Sequence, residues 1–280
     1  MTEKVIAVTG ATGSQGGALV RELLGRGFEL RGITRHPDSD AAKKLAGLGI
    51  EPVQADLDDE ESLKRALKGA WGVFAVQNTW EAGVEKEEEQ GKRLARVAKQ
   101  VGVQHYVYTS VGSAHKNTGI PHFDNKFRVE QEIKGLGFAS HVIFRPVFFM
   151  ENLVGPWFLE GDRVAAAMKP DTKLQMVAVS DIGRVEAQGF IRAEELAGNE
   201  IDIAGDELSL HQATTLLGRA LGRKLEFVSI PIDAVRKQSN DFALMFEWFE
   251  NVGYSADIPE LDRRFGKMKR FADWAATRRP

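Results

Sequence analysis

The sequence predicts an α/β protein built on a doubly wound parallel sheet, with a smaller C-terminal α+β lobe. Two observations lead there. Strand-like and helix-like patterns alternate through residues 1–150, the order that a parallel sheet with helices on both faces requires. Near the start, the apolar run Val5-Ile6-Ala7-Val8 enters Thr9-Gly10-Ala11-Thr12-Gly13-Ser14-Gln15-Gly16-Gly17, after which Ala18, Leu19, Leu23 and Leu24 recur on one helical face. Strand, glycine-rich turn and helix in that order are the Rossmann-type context of a dinucleotide-binding turn. Gly10 and Gly13 permit a sharp turn and close approach to a pyrophosphate, and Gly16 permits close helix–strand packing. Thr12, Ser14 and Gln15 are candidate contacts in the same turn. The free N–H groups and positive end of the helix then face the phosphate charge.

The remaining elements follow in order. Phe28–Thr34 reads as a second strand, Asp40–Leu48 as a helix, Glu51–Ala55 as a third strand and Glu60–Leu67 as a helix. Gly72–Val76 is a short buried strand, and Gly83–Val101 a longer helix whose acidic first turn (Glu85, Glu87, Glu88) suits the positive helix end. His105–Ser110 is the fifth strand, Phe127–Leu136 lies in the next helix, and Ala139–Arg145 is a sixth strand closed by Pro146. Beyond Glu151 the alternation weakens. Leu174–Val179 reads as a strand, Asp181 as the cap of a helix through Ile191, and Asn199–Ala204 as a strand that rejoins the main sheet. From Ser209 the chain is mainly helical apart from Lys224–Ile230. The expected domains are therefore 1–150, completed by the strand near 199–204, and a mainly helical substrate or partner lobe over 151–280.

Composition narrows the function classes. The net charge of −3 over 280 residues leaves no basic footprint, so direct nucleic-acid binding is not expected. No run approaches the roughly 18 apolar residues of a membrane span, and no signal peptide is recognisable, so a soluble cytoplasmic protein is expected. The absence of cysteine excludes disulfides, thiolate metal sites and a cysteine nucleophile. The six histidines are scattered without metal-ligand spacing, so no metal is expected, and no G-x-S-x-G elbow is present.

The end of the second strand decides which nucleotide is read. A carboxylate there accepts a ribose 2′-hydroxyl, whereas a 2′-phosphate needs a cation. This chain has Thr34-Arg35-His36 and no carboxylate until Asp38, so Arg35, with Lys43 and Lys44 nearby, points to NADP(H). Asp56 and Leu57, past the third strand, stand where an adenine would lie; Asp56 as the cap of the next helix is the competing reading. Gln77 and Asn78 end the fourth strand and face the nicotinamide half, and Trp80 either walls a pocket or packs.

Chemistry requires a proton donor near the hydride site. Thr109 and Ser110 end the fifth strand, and the segment downstream reads Pro121-His122-Phe123-Asp124-Asn125-Lys126. This nucleotide-binding half resembles the short-chain dehydrogenase/reductases. That resemblance implies a serine at the strand end and a Tyr four residues before a Lys that holds the ribose. Lys126 fits the lysine position, but His122 stands in the place of the tyrosine, and Tyr106, Tyr108 and Tyr254 are elsewhere. His122 is either a proton donor or a hydrogen-bonded buried histidine.

Taken with Gln77-Asn78-Thr79-Trp80 and Glu151-Asn152-Leu153, these motifs make the chain similar to the NmrA-like family of atypical short-chain dehydrogenases, over most of its length and more weakly after Leu196. The His-Phe-Asp-x-Lys segment resembles the branch of NADPH-sensing regulators, in which nucleotide is bound but the reductase triad is incomplete. The resemblance implies bound NADP(H), a redox-sensing or regulatory role with little ordinary dehydrogenase activity, and a small-molecule substrate or regulatory protein as partner. Related NADPH-dependent reductases of quinones, which use a Lys without the Tyr, supply the alternative. In either case Lys126, with His122 and Ser110, is the candidate catalytic group, and Lys126 also holds the ribose.

In the second lobe, Phe149 and Asn152 follow the sixth strand and either line a substrate pocket or belong to the core. Leu261–Arg279 reads as an amphipathic basic helix that either contacts an acidic partner or buries Phe265, Met268, Phe271 and Trp274 against its own domain.

Overall fold

The structure, a computed structural model, describes residues 4–278. In chain order the first elements are β1 (Lys4–Val8), α1 (Ser14–Leu23), β2 (Phe28–Thr34), α2 (Asp40–Gly47), β3 (Glu51–Gln54), α3 (Glu60–Leu67) and β4 (Gly72–Ala75). A single turn α4 (Thr79–Ala82) precedes α5 (Val84–Gln100), then come β5 (His105–Thr109), α6 (Pro121–Gly135) and β6 (Ser140–Pro146). The short strands β7 (Phe148–Phe149), β8 (Leu159–Glu160), β9 (Arg163–Ala166) and β10 (Lys173–Val177) lead to α7 (Val179–Ile191), α8 (Ala193–Leu196) and β11 (Glu200–Ile203). The chain ends with β12 (Asp206–Ser209), α9 (Leu210–Ala220), β13 (Glu226–Ser229), α10 (Ile232–Gln238), α11 (Asn240–Asn251), α12 (Ile258–Phe265) and α13 (Phe271–Ala276).

The main sheet has seven strands in the order β11-β6-β5-β4-β1-β2-β3. Strands β1 to β6 pair in parallel throughout, as the alternating pattern predicts. The order reverses between β1 and β4, and the carboxyl ends at such a switch point are where ligands bind in open α/β sheets. β1 is apolar because it lies in the middle: Ile6, Ala7 and Val8 are fully buried. The strand expected near 199–204 does rejoin the sheet, at its far edge as β11.

The chain divides into two compact units by an interleaved path rather than a single cut near residue 150. The first contains the chain up to Ser110, Asp124–Arg145 and Ile182–Ile201. The second contains Val111–Phe123, Pro146–Asp181 and the chain from Asp202 onward. Within the first, Gly183 of α7 lets that helix touch α1, since a Cβ there would stand 2.5 Å from the Ala18 carbonyl carbon. Arg145 is buried between Glu130, at 2.6 Å, and Glu200, a pair of carboxylates that neutralises it.

The second unit holds two three-stranded sheets, β12-β10-β7 and β13-β9-β8, over a core rich in aromatic rings such as Phe148, Phe158, Phe246 and Phe249. Two local expectations change here. Asp181 lies in the first turn of α7 instead of capping it, and its carboxylate accepts the Lys269 N–H. The basic helix expected over 261–279 is two helices, α12 and α13, broken at Gly266, whose φ of +82° favours glycine. Its aromatic residues Phe265, Phe271 and Trp274 are buried, and the Trp274 indole donates to Glu151 at 2.8 Å.

Candidate nucleotide-binding site

The glycine turn is held open by its own backbone. Gly10 adopts φ +61°, and Gly13 N–H donates to Gly10 O at 2.9 Å. A Cβ on Gly16 would stand 2.4 Å from Gly10 O and 2.9 Å from Thr9 O, so no larger residue fits there without moving the turn. Val76 N–H donates to the Thr9 hydroxyl at 2.8 Å, tying the turn to the end of β4. α1 starts at Ser14 with no side-chain cap and no acidic residue in its first turn. Its leading N–H groups and positive end therefore have no side-chain carboxylate or cap competing for them, which suits an anion.

Gln15 is anchored from outside the turn. Its amide donates to Thr109 Oγ1 at the end of β5 and to Glu186 Oε1 of α7, the latter at 2.6 Å. Glu186 is completely buried, and its Oε2 has no hydrogen-bond partner among the described residues. Burial pushes its carboxyl up to about 8, against the pull of the Gln15 and Thr109 hydrogen bonds. Nothing in the local sequence around Glu186 signals this contact, which joins residues 171 positions apart.

One cavity of about 650 Å³ lies over the turn, within the first unit, in the size range of small-molecule sites. Gly10, Thr12, Gly13, Ser14, Gln15 and Gly16 line it on one side, and Thr34, Arg35 and His36 on another. Asp56 to Asp58 after β3, and Val76 to Asn78 after β4, complete the wall together with Glu81, Lys86 and Gln90. The cofactor residues expected in the turn and after β2, β3 and β4 thus share one cavity. Lys43 and Lys44 do not line it.

Asp56 is not the cap of the next helix: that is Asp59, whose carboxylate accepts from Glu61 N and Ser62 N at 3.0 and 3.2 Å. Asn78 caps α4 through a bond from Trp80 N–H at 3.1 Å. Gln77 is 6% exposed, and neither its amide nitrogen nor its oxygen has a partner among the described residues. A buried amide left unsatisfied is costly, and Gln77 is one of the residues that line the cavity. Arg35 is ion-paired with Glu81, whose hydrogen bond and charge hold the guanidinium more firmly protonated than usual. Lys86 pairs with Asp58 at 2.9 Å. Sequence reading missed Glu81, Lys86, Asp58 and Gln90, which belong to no motif.

The candidate catalytic residues are not among those that line this cavity. Lys126 of α6 gives its ammonium to Glu87 Oε1 at 2.7 Å, and Glu87 also accepts from Asn125 at 2.8 Å and from the Thr79 hydroxyl. Desolvation of Glu87 would raise its carboxyl, but the Lys126 charge and these hydrogen bonds outweigh it and hold it below the usual range. The acidic first turn of α5 thus contains a buried partner as well as a charge suited to a helix end. Ser110 is buried, and its hydroxyl has no hydrogen-bond partner among the described residues. His122, in the second unit, is 6% exposed; its N–H donates to Asp241 Oδ2 at 3.0 Å and its Nδ1 bonds Asp241 Oδ1. Trp80 is exposed on α4, Phe149 is half-buried in β7, and Asn152 is exposed after it. Among the described residues no acidic and histidine cluster can hold a metal ion, and no helix is long and apolar enough to cross a membrane.

Comparison with known proteins adds two kinds of likeness. The model of the NmrA-like family matches residues 2–272. The NmrA-like family domain-containing oxidoreductase malD of Malbranchea aurantiaca is 31% identical, covering 93% of this chain and 88% of that protein. Against the similarly named oxidoreductase FrzB of Cladobotryum sp., at 35% identity, the match spans about half of each protein: 54% of this chain and 48% of FrzB. Among solved structures, the negative transcriptional regulator NmrA in complex with NADP superposes with a TM-score of 0.80 at 23% identity, covering 99% of this chain and 95% of that one. The NADPH complex of the Escherichia coli quinone oxidoreductase QOR2 gives a TM-score of 0.81 at 23% identity, covering 97% and 99%.

Proposed function

The chain belongs to the NmrA-like family, and from that premise we propose that it binds NADP(H) and acts as a redox-responsive regulatory protein with little dehydrogenase turnover. One observation carries the cofactor part: Arg35 and the glycine turn line the same cavity. The turn and the start of α1 hold the pyrophosphate, Arg35 the 2′-phosphate, Asp56 and Leu57 the adenosine, and Gln77 and Asn78 the nicotinamide half. The amide of Gln77, which has no partner among the described residues, suits a carboxamide or ribose hydroxyl. NmrA is solved with NADP and also with NAD, and QOR2 with NADPH, which supports a nicotinamide dinucleotide here and leaves the preference for the phosphorylated form to Arg35.

The bound cofactor supplies or accepts a hydride. The regulatory reading rests on the state of the candidate catalytic residues. No tyrosine precedes Lys126 by four residues, Lys126 is engaged by Glu87, and His122 is engaged by Asp241. The protein then holds the nucleotide, and the ratio of its oxidised to reduced form sets which protein partner is retained.

A reductase of quinones or other small carbonyl compounds is the second reading. Its support is the hydroxyl of buried Ser110 at the end of β5, which has no partner among the described residues, together with the oxidoreductase names of malD and FrzB. Quinone reduction needs little help from a fixed acid, because solvent protonates the product. The deciding experiment is calorimetric NADPH binding followed by NADPH oxidation over a panel of quinones and enals. Binding without sustained oxidation is the expected result. Steady turnover with any acceptor overturns the regulatory reading and leaves the reductase.

A further inference from the structure

The cation expected to grip a 2′-phosphate is already occupied by a carboxylate of its own protein. Arg35 Nη2 bonds Glu81 Oε1, and both residues line the cavity over the glycine turn. Asp56 and Asp58 add negative charge on the same guanidinium, while the ammonium of Lys86 is taken up by Asp58. A phosphate arriving at Arg35 therefore meets an internal anion in its place. A ribose 2′-hydroxyl does not: it needs only an acceptor, which a carboxylate such as Glu81 provides.

The arrangement is suited to exchange. Arg35 and Glu81 side chains are 53% and 51% exposed, and an exposed ion pair holds weakly. Glu81 sits on α4, a single turn fixed at its start by the Asn78 cap and stopped by Gly83 at φ +88°. Thr79, at the other end of the same turn, is pinned to buried Glu87. Release of Glu81 thus requires only its side chain to swing away, with the turn itself kept in place.

We propose that Glu81 sets the cofactor selectivity of this site: its carboxylate is the counter-anion of Arg35 that the 2′-phosphate of NADP(H) must displace and that the 2′-hydroxyl of NAD(H) need not. The proposal rests on the reading of the cavity as a nicotinamide dinucleotide site with Arg35 at the 2′-position. Glu81 then lowers the preference for the phosphorylated cofactor below what Arg35 alone would give.

The test measures dissociation constants of NADPH and NADH by calorimetry for the full chain and for Glu81→Gln, Glu81→Ala, Arg35→Ala and Arg35→Ala/Glu81→Ala. Both Glu81 variants should bind NADPH about two- to fivefold more tightly, as expected for removal of an exposed competing pair. NADH affinity should stay constant or fall, and the gain should shrink as salt is raised. In the Arg35→Ala background the Glu81 substitution should no longer favour NADPH. An unchanged NADPH-to-NADH ratio in both Glu81 variants, with Arg35→Ala still weakening NADPH about tenfold, overturns the role of Glu81 and leaves the site intact. An Arg35→Ala protein that binds NADPH as well as the parent overturns the assignment of Arg35 itself.

Discussion

Replacing Glu186 by Gln should change how the stability of this protein depends on pH. The carboxyl is fully buried, bonded to Gln15 of the glycine turn, and raised from 4.5 to about 8 by burial. Between those two values the native state keeps a proton that the unfolded chain has released. The wild type is therefore fully stabilised below about pH 4.5, loses stability as pH rises through the interval, and levels off above about 8. At about 1.4 kcal/mol per unit, the whole shift is worth about 5 kcal/mol, of which about 4 kcal/mol falls between pH 5 and pH 9. Glutamine keeps an oxygen to accept the Gln15 amide and does not titrate. Urea unfolding followed by tryptophan fluorescence at pH 5, 7 and 9 gives the difference in stability between variant and wild type, in which the titrations of other groups cancel. That difference should move in favour of Glu186→Gln by several kcal/mol as pH rises. A difference constant to within about 0.5 kcal/mol would refute the buried-acid account of Glu186.

Two further substitutions probe the framework of the site. Gly16→Ala places a Cβ 2.4 Å from Gly10 O, and it should cost about 1–3 kcal/mol in a thermal melt and weaken nucleotide binding at least about tenfold in a titration; wild-type values for both would show that the turn is not tightly packed. Glu87→Ala leaves the Lys126 ammonium without its buried acceptor and takes from the Asn125 amide one of its two acceptors, and should cost about 3–5 kcal/mol in chemical denaturation. Adding Lys126→Met to it should recover much of that loss, and no recovery would mean that the ion pair is not the cause.

The parts of this fold that were legible in the sequence are those whose cause is local. A glycine triplet between an apolar run and an amphipathic helix states its own geometry, and the alternation of patterns up to residue 150 states a parallel sheet. Arg35 was legible because its distance from the turn puts it at the end of β2, and it does line the same cavity. What stayed hidden depends on partners far away in sequence. Glu186 reaches Gln15 from 171 residues downstream, and Glu87 meets Lys126 across 39. Read alone, Glu87 is one more acid at a helix start, since a helix dipole and a buried ion pair leave the same mark on a sequence. Asp56 and Asp59 both suit a helix cap, and only the traced backbone shows that Asp59 does the capping. Gly266 is a single residue inside an amphipathic pattern, so the break between α12 and α13 was masked by the aromatic periodicity on either side.

The most direct test of the account is the pair of dissociation constants for NADPH and NADH with the unmodified protein, measured in one buffer at one ionic strength. Arg35 at the cavity wall predicts that NADPH binds more tightly than NADH, with the margin narrowing as salt is added. Tighter binding of NADH, or no binding of either nucleotide, would contradict it.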